Sequence, residues 1–404
     1  MSSSIFSSDT LSSGGARFLC GYAVCLAAGI GLVSGWNLLV DPYDMYHGWT
    51  RHGFNHFKSH TAGQYDRMSK ARHIARRRPD AIILGTSRAD WGLDPSHPGL
   101  QAVSPDYYNA SLAGATMYEL LRYMQHAHAV NPLKQVILGI DLEMFNTRKT
   151  RYSFSEHRLA VTAEGDPNWR QRAADSVATL FSQDALEANH DTRHLSRKHK
   201  DVTRAELLDP GSAYYETRDP EEAWKIYQLG VRQARLNLGQ LESDLRLYME
   251  QAGYLNEFLA FAHRERIELI MYITPYHVSH LETLRTTGQW TVFEYWKRDL
   301  AARNATIAKE WDRDPFPLWD FSGYHRFATE PHPTDDDPNH VMTWYRESSH
   351  FRKITGDMIL DVITGRAMPE TGFGRRLTVE TVEAVWAEDR AQRDAYLEES
   401  DPDE

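Results

Sequence analysis

The chain has 404 residues, 41% hydrophobic and 11% aromatic, which excludes collagenous and fully disordered classes and suits two or three domains or one large α/β domain with insertions. Its net charge of −11 and pI near 5.9 argue against a protein that binds nucleic acid by releasing counterions from phosphates. The two cysteines, Cys20 and Cys25, both lie in one apolar segment, so a disulfide scaffold, a thiolate nucleophile or a cysteine-ligated zinc is excluded downstream of them.

Residues 1–17 are rich in Ser and Gly and read as a disordered leader. Phe18 to Val40 carries no charge and is long enough to cross a hydrocarbon core of about 30 Å as a helix. Arg17 precedes it and Asp41 and Asp44 follow, so the positive-inside tendency puts the N-terminus in the cytoplasm and the bulk of the chain outside. The expected location is a single-pass anchor in the inner (cytoplasmic) membrane with a periplasmic domain. A cleaved signal peptide, with small residues such as Ala27, Ala28, Gly29 and Ser34 near its cleavage site, is the rival; the uncharged run is longer than the usual apolar region of such peptides.

Residues 41–78 read as an aromatic, His-rich stalk followed by a basic helix closed by Pro79. His52, His56 and His60 fall four apart, a spacing compatible with metal ligands on one helical face, but Gly53 and the lack of a nearby carboxylate favour a partly buried connector.

Ala81-Ile82-Ile83-Leu84 is a continuous apolar run and predicts a buried parallel strand. It stops at Gly85-Thr86-Ser87-Arg88, and in open parallel sheets ligands gather beyond the carboxyl ends of the strands. Ser87 is therefore a candidate nucleophile, although a Thr-Ser pair at such a junction also serves as a helix N-cap. The pattern recurs. A short strand at Tyr107-Tyr108-Asn109 leads through the small-residue loop 110–116, containing Gly114, into a helix at Met117. Lys134 to Ile140 predicts a third strand ending at Asp141-Leu142-Glu143. Residues 267–273 predict a fourth, ending near His277, and Leu318 to Phe321 a fifth. Strands alternating with helices argue for a doubly wound parallel sheet.

Near the end, Glu347 stands three residues before His350, ahead of a helix through Ile354 to Ile363. A hydroxyl nucleophile needs an imidazole to accept its proton, and the imidazole needs a third group to orient it. A tight turn at this spacing lets the carboxylate reach the ring; a surface Glu–His pair is the alternative. His277 and His280 compete with His350 as the base or bind substrate, but neither has a carboxylate at comparable spacing.

Residues 151–220 are polar and include His190, His194 and His199; they read as an inserted cap over the strand ends. Residues 224–264 form a long helical region with core spacing, and Trp290, Phe293, Trp296 and Lys297 read as core or as a carbohydrate groove. Asp335-Asp336-Asp337 lacks the ligand alternation of a calcium loop and reads as a solvated turn. Residues 366–404 read as an acidic surface helix and tail.

Taken together, Gly85-Thr86-Ser87-Arg88, Asn109 with Gly114, Gly139-x-Asp141 and Glu347-x-x-His350 resemble the SGNH (GDSL-like) hydrolase superfamily, in its membrane-anchored extracytoplasmic form akin to the alginate O-acetylation and D-alanyl-teichoic-acid proteins. The resemblance spans about residues 79–365. It implies a three-layer α/β/α, flavodoxin-like fold, with Ser87 as nucleophile, His350 as base, Glu347 as orienting acid, and an oxyanion hole from the backbone N–H groups of Ser87 and Gly114. Asn109, Arg88, Asp141 and His277 complete the expected substrate-side set, with no cofactor. Asp141 stands where the family has an oxyanion Asn, and an ionised carboxylate there would repel the developing charge unless it is protonated or points away. The implied activity is ester hydrolysis or O-acyl transfer on acylated cell-surface or exported polysaccharide, with a membrane-bound acyltransferase as candidate partner. Two other readings stay open: a non-catalytic SGNH-like scaffold binding glycan or such a partner, motivated by Asp141, and a metal hydrolase using the histidines between His47 and His60.

Overall fold

In a computed structural model, the described residues are 13–400 except 47–48, 59–65, 146–153, 155, 163, 167–178, 182, 199, 201–222 and 240–244. His47, His60 and His199, and the end of the expected cap, fall outside them. The chain forms two compact units, Met1–Ser59 with Arg170–Lys200, and His60–Trp169 with Asp201–Glu404.

The first unit is built on α1, Ser13–Val40, so part of the expected disordered leader is helical. Gly15–Val40 is long and apolar enough to cross a membrane and is largely exposed, with Asn37 and Val40 buried near its end. Its last carbonyls, which a helix cannot satisfy internally, accept from Lys58 Nζ, 2.7 Å from both Val40 O and Asp41 O, and from Asn55 Nδ2, 3.0 Å from Leu39 O. The helix α6, Gln183–Lys198, packs here: Asn189 Nδ2 donates to Asn37 Oδ1 at 2.6 Å, and the Arg193 guanidinium lies over Trp36 and Phe54. The helix Gln183–Lys198, expected in a cap over the strand ends, therefore belongs with the apolar helix, because its polar partners are at that helix's C-terminal end. His52 and His56 stack at 4.5 Å, and among the described residues no three His, Cys, Asp or Glu side chains cluster as metal ligands.

The second unit holds a six-stranded sheet in the order β2-β1-β3-β4-β5-β6. The strands are β1 Ala81–Leu84, β2 Tyr107–Asn109, β3 Gln135–Ile140, β4 Glu268–Ile273, β5 Leu318–Asp320 and β6 Arg375–Arg376. The first five are parallel, and β6 pairs antiparallel with β5. Alternate strand residues face opposite ways. Ile82, Leu84, Val136 and Leu138 pack with Leu120 and Met124 of α5 (Met117–Val130), Phe258 of α8 (Leu245–Glu265) and Trp296 of α10 (Trp290–Glu310). Ala81, Ile83 and Ile137 pack with Leu360 and Ile363 of α11 (Lys353–Ile363) and with Tyr227 of α7 (Ala223–Gly239). Helices thus cover both faces, each fully buried aliphatic side chain contributing about 1.5–3 kcal/mol.

Two boundaries differ from expectation. α2, Asp66–Arg77, is part of the main unit and not of a stalk: Arg67 Nε lies 2.6 Å from Glu119, and Asp66 and Lys70 hold the 110–116 loop through Ala113 N (2.7 Å) and Ser111 O. The acidic C-terminal segment is likewise built in. α12, Val382–Ser400, buries Trp386 and Asp389, and Asp389 pairs with the buried Lys297 (3.2 Å) and Arg375 (2.7 Å), which also contact Asp320. Lys297 therefore serves the core and not a carbohydrate groove.

Candidate active site

β1 and β3 are neighbours whose chains leave in opposite directions across the sheet, so the crevice beyond their carboxyl ends is a topological switch point. Ser87 is the first residue of α3, Ser87–Gly92, which Thr86 caps. Gly85 is required by closeness: a Cβ there would stand 2.6 Å from the Ala89 Cβ and 3.3 Å from Gly139 O. α3 is thereby pressed onto the strand ends with Ser87 at the rim of a cavity of about 400 Å³.

The loop 344–351 brings His350 to the same cavity. Ser87 Oγ is 2.8 Å from His350 Nε2, and His350 Nδ1 is hydrogen-bonded to Glu347 Oε1. A ring that donates from Nδ1 to a carboxylate presents a bare Nε2 lone pair to the serine, the tautomer a general base requires. Glu347 also accepts from the backbone N–H of His350 (2.8 Å) and Ser349 (3.1 Å) and from the hydroxyls of Ser348 (3.0 Å) and Ser349 (3.1 Å). Burial pushes its carboxyl up, but the adjoining His350 ring and these donors outweigh it and bring the pKa down to about 2. The carboxylate therefore stays charged across the physiological range. Trp91, one turn after Ser87 on α3, stacks on the His350 ring at 4.3 Å.

Gly114 lines the cavity at φ +59°, with open space where a Cβ would be. Among the described residues, neither its N–H nor that of Ser87 finds a protein acceptor. Both are available to an oxygen bound between them.

Of the remaining residues of the expected set, Arg88 lines the cavity and Asp141, Asn109 and His277 do not. Asp141 is fully buried and does not line the cavity. It accepts from the Thr86 and Thr274 hydroxyls and faces Arg88 Nη1 at 3.0 Å, so its charge is answered inside the protein and points away from an oxyanion. Arg88 is buried too; burial opposes its charge, and Asp141 and Glu143 more than offset this. It binds Glu143 (2.7 Å) and donates to Ser349 O (3.0 Å), tying the serine turn to the histidine loop while lining the cavity. Asn109 donates to Ala89 O (2.9 Å) and Leu93 O (3.0 Å) and so holds α3 instead of meeting substrate. His277 is buried outside the cavity, its Nε2 donating to Glu330 O (2.9 Å) and its Nδ1 facing Ser279 Oγ (2.8 Å).

Further groups line the cavity, and of them the sequence singled out only His280. Glu143 and Arg346 do, as do Ile226, Leu229, Gly230, Gln233 and Ala234 of α7. His280 lines it as well, 3.6 Å from Glu143 and stacked on Tyr276; burial brings its pKa down to about 4, so it is neutral. The spacing of Trp91 from Ser87 and a glycine inside the α7 pattern were the available signals.

No protein-family model matches the sequence, and no curated protein matches it significantly.

Proposed function

We propose that this protein is an SGNH-type serine enzyme of flavodoxin-like α/β/α architecture that cleaves or transfers acyl esters of cell-surface or exported polysaccharide, held at the inner membrane by α1 with the second unit outside the cytoplasm. The observation that carries the reading is the hydrogen-bonded chain Ser87–His350–Glu347 opening into a cavity. The strand order and the apolar helix are consistent with it.

In this mechanism Ser87 Oγ attacks the ester carbonyl carbon as its proton passes to His350 Nε2, and Glu347 stabilises the imidazolium. The carbonyl oxygen becomes an oxyanion met by the N–H groups of Ser87 and Gly114. Collapse expels the alcohol, which takes the proton from His350 and leaves Ser87 acylated. Water or a sugar hydroxyl, deprotonated in turn by His350, then attacks the acyl-enzyme and frees Ser87. With Asp141 committed to Arg88 the oxyanion hole has two backbone donors, and one missing side-chain donor lowers turnover by about 10²–10³. The same commitment removes the repulsion that had motivated a non-catalytic scaffold.

The test is release or transfer of acyl groups from an acetylated polysaccharide by the full-length chain in detergent. Activity abolished by Ser87→Ala supports the reading; full activity in that variant refutes it. Free acid as product indicates hydrolysis, and an acylated acceptor indicates transfer.

A further inference from the structure

We infer that α7 is the acyl-selecting wall of the Ser87 cavity and that the acyl group it admits is short. This rests on the serine mechanism above and names the part of the substrate that the cavity recognises.

α7 is fastened at its start. Trp224 N donates to Pro338 O at 3.1 Å, its indole donates to Asp335 Oδ1 at 3.0 Å, and Tyr227 stacks on His332 at 4.5 Å. The acidic turn at 335–337 is thus a docking point for this helix. One turn further, Gly230 faces Glu347. A Cβ at that position would stand 2.0 Å from Glu347 Oε2 and 2.9 Å from its Cβ. Glycine inside a helix is unfavourable relative to alanine, and here it is the residue that lets the helix lie directly on the carboxylate orienting His350.

That contact fixes which α7 side chains reach the reacting centre. Ile226, Leu229, Gln233 and Ala234, all within a turn of Gly230, line the cavity that holds Ser87. Three of the four are aliphatic, and no charged residue of α7 lines it. An aliphatic wall favours the apolar part of an acyl group laid against it. The cavity, about 400 Å³, lies near the lower end of the range for small-molecule sites, about 300–1,000 Å³, and must hold part of the alcohol as well as the acyl group. The space left beside the alcohol therefore limits the length of acyl chain that α7 can cover.

The experiment measures kcat/KM of the full-length chain in detergent on 4-nitrophenyl acetate, butyrate, hexanoate and octanoate, for the wild type and for Leu229→Ala, Ile226→Ala and Ala234→Leu. One methylene in an apolar pocket changes kcat/KM by about 10–200-fold. The expected wild type prefers acetate and butyrate to octanoate by at least about tenfold. Leu229→Ala and Ile226→Ala raise the octanoate-to-acetate ratio by about tenfold, and Ala234→Leu lowers the butyrate-to-acetate ratio by a similar factor. Leu229 is 55% exposed, so its truncation is compatible with folding, and ratios within one variant are insensitive to the fraction folded. An active wild type that prefers octanoate, or whose ratios are unchanged in all three variants, overturns the inference. A wild type no more active on acetate than Ser87→Ala overturns the serine mechanism itself, and the inference with it.

Discussion

Two imidazoles stand near the carboxyl rim of the sheet, His350 in the loop before α11 and His277 in the turn after β4, and their surroundings assign them opposite duties. His350 has one nitrogen on Glu347 and the other on Ser87, and its side chain is 20% exposed to the cavity. His277 is fully buried with both nitrogens engaged, by Ser279 and by the Glu330 carbonyl, and burial brings its pKa down to about 4. The first has a partner whose proton it can take and open space beside it; the second is a neutral crosslink that also donates its backbone N–H to Ser348 O at 3.2 Å, bracing the 344–351 loop from behind. What separates a base from a brace is the partner at each ring nitrogen, and residue type and strand-end position carry no such information.

The largest expected effects break the first region. Ser87→Ala or His350→Ala lowers turnover by on the order of 10⁶-fold, with the double variant little worse, because the residues act as a unit. Glu347→Gln keeps the shape but loses the charge opposite the imidazolium and costs about 10⁴-fold in kcat. Steady-state kinetics on one activated ester check all three.

Asp141→Asn sharpens the contrast between an oxyanion residue and an internal counter-ion. If Asp141 answers Arg88, the substitution yields no gain in turnover and destabilises the fold by about 1–3 kcal/mol, since Arg88 retains only Glu143. A 10²–10³-fold rise in kcat instead would mean that this position reaches the oxyanion after all.

The last effect is on stability alone and comes from the bracing ring. The pKa of His277 is depressed in the fold from near 6.5 to about 4, so the unfolded chain binds the proton more readily. The stability this neutral ring supplies is complete above about pH 6.5 and is lost as the pH falls toward 4, by up to about 3 kcal/mol. His280 and His325, brought by burial to about 4 and about 3, add to the same acid limb. Glu347 adds a lower one, full above about 4.5 and lost toward about 2. Denaturant unfolding between pH 7 and 4 should show the decline, and His277→Gln should flatten part of it.

The central strands were legible because both of their faces are buried, which makes 81–84, 136–140 and 269–273 continuous runs without a charged or amide side chain. β6 was not: Arg375-Arg376 is a two-residue edge strand with no apolar run, and the Asp320 and Trp319 that its side chains meet lie more than 50 positions away. α2 was legible as a basic helix but was placed outside the α/β domain because its charges are ordinarily solvated, and their buried partners Glu119, Asp90 and Ser111 lie 20 to 52 positions away. α12 looked like a surface helix for the same reason, with Lys297 and Arg375 distant in sequence from Asp389. At the site, Glu347 and His350 could be read together because they are three residues apart on one turn. The neutralisation of Asp141 by Arg88 and the seating of Gly230 on Glu347 could not, since each is a contact across long sequence separation.

The most direct measurement is labelling of the full-length chain by a fluorophosphonate, with the modified residue located by mass spectrometry. The account predicts one adduct, on Ser87, which disappears in His350→Ala. A folded wild-type chain that takes no label, or takes it on another residue, contradicts the account.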